Sequence, residues 1–263
     1  MSRDFPYHIL NHVAHRPWPV PNRPWVMTQS WHDLLFAHWP IDAHVLRNKL
    51  PPDLPLDLFE GRAWIGIVPF HMSNVGPRGV PWLPFVSAFA ELNVRTYVTM
   101  NGKPGVFFFS LDAASALAVA AARTVLNLPY HLATMTVDAE SGSVRYRSRR
   151  RASRTGAAEF VARYWPVGPP RSPQRGTLEY FLTERYCLYA VDRRGRIRRL
   201  EIHHPPWPLQ SAAAEIAINT MTEASGIALP AEAPLLHFAQ RLDVVAWPMR
   251  MVAGSAGRVL NPQ

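Results

Sequence analysis

The chain has 263 residues, and 48% of them are hydrophobic, so it can bury a sizeable core and is not disordered as a whole. Its net charge of +9 is carried almost wholly by arginine, since only Lys49 and Lys103 are lysines, and coding composition alone can produce such a bias. We therefore expect no nucleic-acid partner, although the arginine-rich segment 145–154 is the obvious patch for one. The single cysteine, Cys187, excludes an intramolecular disulfide and a multi-cysteine zinc site.

The first 26 residues are rich in proline, which fixes φ and forbids a helix, so residues 1–26 are predicted to form an extended arm. This segment has no continuous apolar stretch of the kind a signal peptide needs. No later segment reaches the roughly 20 apolar residues that span a bilayer. We expect a cytoplasmic protein without a membrane partner, in which residues 27–263 form one domain.

From Met27 onward the pattern predicts strands separated by turns. Asp42 is placed to cap a short helix that ends at the double proline 51–52. The pair Asn101-Gly102 is a strong hairpin signal between two apolar strands.

The segment Ala113–Asn127 predicts the one long helix, with Asp112 as its N-cap. The helix is apolar or small on every side except at Arg123, which indicates burial. A buried Arg123 needs a partner, either a protein carboxylate or a ligand anion. Alternatively, Arg123 reaches solvent at the C-terminal end of the helix, where the macrodipole favours a cation.

After Pro129 the chain returns to strands, interrupted by a short helix at about 177–183. Many strands with few helices predict a mostly antiparallel β-barrel or sandwich carrying a central helix. No glycine-rich stretch opens a helix after a strand, so neither a P-loop nor a dinucleotide fingerprint is present, and we expect no cofactor.

One strand carries the best candidate carboxylate. In AFAELNVRTYV, the period of two places Glu91, Asn93, Arg95 and Tyr97 on one face. If this face lines a pocket, Glu91 is a candidate general acid or base and Arg95 a carboxylate clamp. If the face is on the outer surface, the same residues are a solvated ladder, and the pattern alone leaves both interpretations open.

The eleven histidines do not predict a metal site, because none shows HExxH spacing. His32 and His38 share a strand face but are separated by about 20 Å at the rise of a strand.

Several segments in this order resemble a known family: WHDLLFAHWPID, GRAWIGIVPFHM, ELNVRTYV, GVFFFSLDA, ARTVLNLPYHLA and PLLHF. They are similar to the YqjF-like family of uncharacterised proteins, within the acetoacetate decarboxylase-like superfamily, over about residues 25–250. The resemblance implies a mainly β (α+β) fold, a cone-shaped antiparallel β-barrel with a ligand cavity, the central buried helix and a few short flanking helices. It also implies that Glu91 faces the cavity, and it suggests a homo-oligomer.

The sequence departs from the decarboxylases where they carry paired lysines after a proline. Tyr130 and His131 stand at these positions, and neither can form an iminium with a ketone, which requires a primary amine. Lys49 and Lys103 are expected at the surface. Decarboxylation through a lysine Schiff base is therefore not expected.

Two functions from different classes remain. The first is a small-molecule binding protein for an organic acid or oxo acid. Its predicted ligand contacts are Arg95, Arg123, Tyr97, His38 and Phe109. The second is an enzyme that uses acid–base chemistry alone, such as an isomerase, hydratase, cyclase or lyase on an oxo acid, with Glu91, Tyr130 and His131 as catalytic residues.

Overall fold

The computed structural model describes residues 5–80, 87–151 and 157–253, and the described chain is mainly β. Within these ranges the strands are β1 (Met27–Ile41), β2 (Ala63–Pro77), β3 (Phe89–Met100), β4 (Lys103–Ala113), β5 (Tyr130–Glu140), β6 (Ser143–Arg150), β7 (Glu159–Arg171), β8 (Cys187–Val191), β9 (Ile197–His203), β10 (Leu209–Asn219), β11 (Leu235–Ala246) and β12 (Arg250–Ala253). The α-helices are α1 (Ala43–Arg47), α2 (Ala116–Ala121) and α3 (Leu178–Thr183). None of the helices described is long and apolar enough to cross a membrane.

All twelve strands belong to one sheet, in the order β12-β9-β8-β4-β3-β2-β1-β11-β10-β7-β6-β5. Two further pairings, β9 with β11 and β4 with β5, connect distant positions in this order. Most pairs are antiparallel, whereas β4 pairs in parallel with both β5 and β8. Because β4 contacts β3, β5 and β8, residues from all four strands can reach one interior space.

The β3–β4 hairpin turns at Asn101 and Gly102, which adopt positive φ angles of 53° and 69°. Asparagine and glycine tolerate this left-handed region, so the turn has the chemistry that the sequence predicts. The turn fixes the register in which Glu91 lies opposite Ala113.

Strand β3 is buried on both faces over most of its length. Leu92 and Val94 pack in the largest apolar cluster. The alternate residues Glu91, Asn93 and Arg95 point to the opposite face, and they are buried as well. The polar face of β3 therefore lies inside the protein and is not a solvated ladder.

The helix after β4 differs from the predicted one. Strand β4 continues to Ala113, and Ser115 caps the six-residue helix α2, which passes into one π-helical turn, Ala122–Leu126. Only Val119 is buried in α2, whereas Val125 in the π turn is 65% exposed. The expected central buried helix is therefore not observed. The alanines of α2 present only a small apolar surface, and burial of one residue, Val119, is enough to pack the helix against the protein.

Asp112 is likewise not a helix cap. It lies within β4, is fully buried, and forms an ion pair with Arg150 of β6, with 2.7 Å between Arg150 Nη2 and Asp112 Oδ1. The carboxylate thus holds β6 against β4.

The N-terminal segment lies along the sheet. Phe5 and Ile9 are buried in a cluster with Val245 and Trp247. Arg16 donates a hydrogen bond of 2.6 Å to the carbonyl oxygen of Ile202. These contacts place the arm over β9 and β11.

Candidate functional site

A cavity of about 110 Å³, the inner cavity, lies between β3, β4 and the strands around them. Its walls come mainly from β1, β2, β3, β4, β8, β9 and the segment after α3. The polar or ionisable lining residues are Gln29, Glu91, Asn93, Arg95, Tyr130, Thr183, Arg185, Cys187, His204 and Trp207. Apart from Trp31, whose indole N–H donates to Gln29, the other described lining residues are apolar, so the few polar groups have defined positions in a largely apolar space.

Three successive inward residues of β3 form one wall of the inner cavity. Glu91, Asn93 and Arg95 are 4%, 5% and 8% exposed. Glu91 and Arg95 are four residues apart along the strand, so their backbones are separated by about 13 Å. A carboxyl group and a guanidinium group therefore occupy different parts of the same wall, with an amide between them.

Glu91 interacts with Tyr130, the first residue of β5. The Tyr130 hydroxyl donates a hydrogen bond of 2.7 Å to Glu91 Oε2. Burial raises the pKa of Glu91 to about 8, the hydrogen bond from Tyr130 acts in the opposite direction, and the Asp112 carboxylate adds to the increase. At neutral pH the Glu91 carboxyl group is mostly protonated and can donate a proton or a hydrogen bond inside the cavity.

The Glu91 backbone is fixed by a buried tyrosine on β6. The Tyr146 hydroxyl lies 2.7 Å from the Glu91 carbonyl oxygen and 3.1 Å from that of Phe70. This contact holds β3 at the point from which the Glu91 side chain enters the cavity.

Arg95 has no carboxylate within 4 Å among the residues that the structure describes. Its Nη2 donates to the Leu182 carbonyl oxygen at 3.1 Å, and its guanidinium carbon lies 5.3 Å from the centre of the Phe36 ring. These contacts orient the guanidinium group but do not neutralise it. The neighbouring Arg185 differs, because it forms an ion pair with Asp57.

Within the described ranges, three buried polar atoms of lining residues lack a hydrogen-bond partner: Asn93 Oδ1, Arg95 Nε and Trp207 Nε1. Buried polar atoms are nearly always paired, and leaving one unpaired costs about 1–3 kcal/mol. A small polar ligand in the cavity would supply hydrogen-bond partners for these two donors and this acceptor.

Of the eight predicted site residues, Glu91, Arg95 and Tyr130 line the inner cavity. Tyr97 and His38 lie behind Arg95: the Tyr97 hydroxyl contacts His38 Nε2 at 2.7 Å, the Leu182 carbonyl oxygen at 2.8 Å and Arg95 Nη2 at 3.5 Å. They support the guanidinium group and do not form part of the cavity wall.

Arg123, His131 and Phe109 do not line the cavity. Arg123 is exposed in the π turn, where its Nε donates to the Tyr130 carbonyl oxygen at 2.6 Å, as in the solvent-facing alternative. His131 follows Tyr130 in β5 and faces the other side, because consecutive strand residues alternate. A bulge between β3 and β4 brings Phe108 to the cavity in place of Phe109.

No pattern in the sequence indicates Arg185, His204 or Trp207, which lie in the loops before β8 and between β9 and β10 and also line the cavity. Cys187 lines it too, and burial raises the pKa of this thiol to about 12, so it is uncharged at neutral pH. Asn93 could be predicted from the sequence, because the period of two along β3 places it on the same face as Glu91 and Arg95.

Neither lysine of the chain lines the inner cavity. Lys103 forms an ion pair of 3.1 Å with Glu201, and Lys49 is exposed near Gly226. In the described part of the chain, no three histidine, cysteine, aspartate or glutamate side chains are grouped so that they could hold a metal ion.

Comparison with known proteins gives matches over most of the chain. The model of the DUF2071 family, described as an uncharacterized conserved protein, matches residues 28–243. The uncharacterized protein YqjF of Bacillus subtilis is 47% identical over 231 residues, which are 88% of this chain and 94% of that protein.

Solved structures show the same fold at low sequence identity. An acetoacetate decarboxylase from Legionella pneumophila has a TM-score of 0.62 and 13% identity, over 96% of this chain and 98% of its own. The enduracididine biosynthesis enzyme MppR has a TM-score of 0.61 and 12% identity, over 88% and 89%. The fold is therefore acetoacetate decarboxylase-like.

Proposed function

Since the chain belongs to the DUF2071 family, whose members include the YqjF-like proteins, and has an acetoacetate decarboxylase-like fold, we propose that it binds a small organic acid or oxo acid in the inner cavity. The observation that carries the proposal is Arg95, a buried cation that faces the cavity without a carboxylate partner among the described residues. An isolated buried charge is costly, and an anionic ligand supplies the missing counter-charge.

The other lining groups are complementary to such a ligand. Asn93 offers an amide oxygen, Trp207 an indole N–H, and the protonated Glu91 a carboxyl donor, so a carbonyl or hydroxyl group beside the carboxylate finds partners. The volume of about 110 Å³ suits a small ligand, since a cavity of about 150 Å³ holds benzene. The cavity therefore selects for size as well as charge.

The second candidate function is acid–base catalysis on the bound oxo acid. It is favoured by the Glu91 carboxyl group, whose pKa of about 8 lies close to working pH, where a general acid or base is most effective. Tyr130 keeps this group in place through its hydrogen bond. No lysine lies at the cavity wall to form a Schiff base, which supports a lysine-independent reaction such as isomerisation or hydration.

Calorimetric titration with acetate, 2-oxobutyrate and 3-oxobutyrate tests the binding function. We expect Arg95→Met to weaken binding of each acid by a factor of about 30 or more, since losing a partner of a buried charge pair costs at least about 2 kcal/mol. Arg123→Met is the matched control and should bind like the wild type, because Arg123 is exposed outside the cavity. Equal affinities of the Arg95→Met variant and the wild type would refute the proposal.

The two oxo acids also test catalysis. Proton exchange at the carbon next to the ketone, followed by NMR in D₂O, should be faster with the wild type than with Glu91→Gln. If neither protein accelerates exchange, binding stands without chemistry.

A further inference from the structure

The inner cavity adjoins a second space on the surface, here called the outer groove. Its volume is about 520 Å³. Six residues line both spaces: Met27, Gln29, Leu126, Tyr130, Leu200 and Ala246. The two spaces therefore share one boundary, and Tyr130 stands on it with its hydroxyl group directed to Glu91.

The outer groove is apolar almost throughout. Among the described residues that line it, all except Gln29, Tyr130 and Arg198 have aliphatic, aromatic, proline or methionine side chains. One side is formed by α2 and the π turn through Ala121, Ala122 and Val125. These residues leave an apolar surface open to solvent, and Val125 is 65% exposed.

The polar groups lie in the opposite direction, inside the cavity. Arg95 and Asn93 line the inner cavity and do not line the outer groove. A molecule that reached from one space into the other would thus meet charge and hydrogen-bond partners at one end and mainly apolar contacts at the other.

We propose that the ligand is an amphiphilic acid, whose carboxylate or oxo-acid head occupies the inner cavity while an aliphatic or aromatic tail lies in the outer groove along α2. This inference rests on the proposed function and specifies the substrate class of the same site. The shared boundary at Tyr130 and Leu126 and the contrast between the polar groups of the inner cavity and the apolar lining of the groove point to the tail as the occupant of the groove. Burying the tail also covers the apolar side of α2.

The π turn is part of this arrangement. It follows α2 directly and carries both Val125, on the wall of the outer groove, and Leu126, on the shared boundary. Such turns occur often at functional sites, because the extra residue redirects a side chain. Here the turn brings Leu126 to the passage between head and tail.

Calorimetric titration with straight-chain carboxylates from acetate to decanoate tests the inference. Once the chain is longer than the inner cavity, each further methylene group should raise the affinity about fourfold until the groove is filled. Ala121→Trp places an indole in the groove and should lower the affinity for octanoate at least tenfold while leaving that for acetate unchanged. Ala120→Trp is the matched control, because Ala120 is exposed on the same helix but does not line the groove.

The outcomes separate the two proposals. If short acids bind through Arg95 but affinity does not rise with chain length, the amphiphile is excluded and the proposed function stands. A rise that is insensitive to Ala121→Trp would place the tail elsewhere and overturn the inference. If light scattering shows that Ala121→Trp dissociates an oligomer without changing octanoate affinity, the groove is an interface between copies of the chain. Absence of binding at every chain length would overturn both.

Discussion

Tyr130 on β5 donates a hydrogen bond to Glu91 on β3 across the intervening strand β4. The contact is possible because β4 pairs with both neighbours near its C-terminal end: Ala113 lies opposite Glu91, and Leu111, two residues earlier, lies opposite Tyr130. Residues separated by 39 positions in sequence thus form one proton-carrying pair.

The first prediction concerns stability and Glu91. Its pKa rises from an ordinary value of 4.5 to about 8 on folding, so the folded state binds more protons than the unfolded state between these values. Stability is therefore lost as pH rises through this range, on the order of 4 kcal/mol by pH 9. Glu91→Gln should match the wild type near pH 4.5 and be more stable above pH 8 in urea unfolding.

The control for this experiment is Glu140→Gln, at the exposed end of β5. Its difference from the wild type should be small and should not change with pH. A Glu91→Gln difference that is also constant between pH 5 and 9 would show that Glu91 ionises normally in the folded state.

Tyr130→Phe should raise the pKa of Glu91 further above its ordinary value. The hydrogen bond from Tyr130 lowers the pKa of Glu91, so its loss should raise the midpoint above about 8. The variant should also lose about 1 kcal/mol of stability. NMR titration of the Glu91 side-chain carboxyl carbon measures the midpoint, and His131→Gln, one residue away and outside the cavity wall, should leave it where it is.

Acid binding should depend on pH through the same group. Below about pH 8 the neutral Glu91 does not repel an anionic ligand, whereas above it the carboxylate does. Affinity for 2-oxobutyrate should therefore fall as pH rises from 7 to 9.5, and the fall should vanish in Glu91→Gln. An unchanged pH profile in that variant would assign the effect to another group.

The buried Asp112–Arg150 ion pair should be sensitive to the loss of either charge. Arg150 Nε and Nη2 both donate to the carboxylate, at 2.7–3.1 Å. Asp112→Asn should cost about 3–5 kcal/mol in urea unfolding, because it leaves the guanidinium group facing a neutral side chain. The double variant Asp112→Leu with Arg150→Met should lose much less free energy of unfolding. Equal losses in the single and the double variant would argue against a charge effect.

The strands could be predicted because period-two patterns and the Asn101-Gly102 turn are local signals, and the family could be predicted from the resemblance of several motifs in their order, from WHDLLFAHWPID to PLLHF. The predicted helix was less accurate: the sequence shows that Ala113–Asn127 is small and apolar, but a helix of alanines is equally compatible with a core and with the wall of a surface groove. Asp112 could not be assigned to β4, since its partner Arg150 is remote in sequence.

The site could be predicted only where alternation along one strand was decisive. Alternation grouped Glu91 with Arg95, but their burial depends on strands that pack against both faces of β3. The bulge that exchanges Phe109 for Phe108 has no sequence signal of its own. Trp207 and Arg185 reach the cavity through pairings of β4 with β8 and β8 with β9, which a single sequence does not specify.

The ladder between β4 and β5 spans only three residue pairs, Leu111 with Tyr130 through Ala113 with Leu132. So short a parallel ladder can open locally without unfolding the long antiparallel hairpin that carries Glu91. Amide protons at the start of β5 should then exchange with solvent faster than those of β3. A ligand held between β3 and β5 should tie the faster-opening segment to the slower one. Occupancy of the cavity should then slow exchange in β5, at a distance from the Arg95 guanidinium that is proposed to bind the acid.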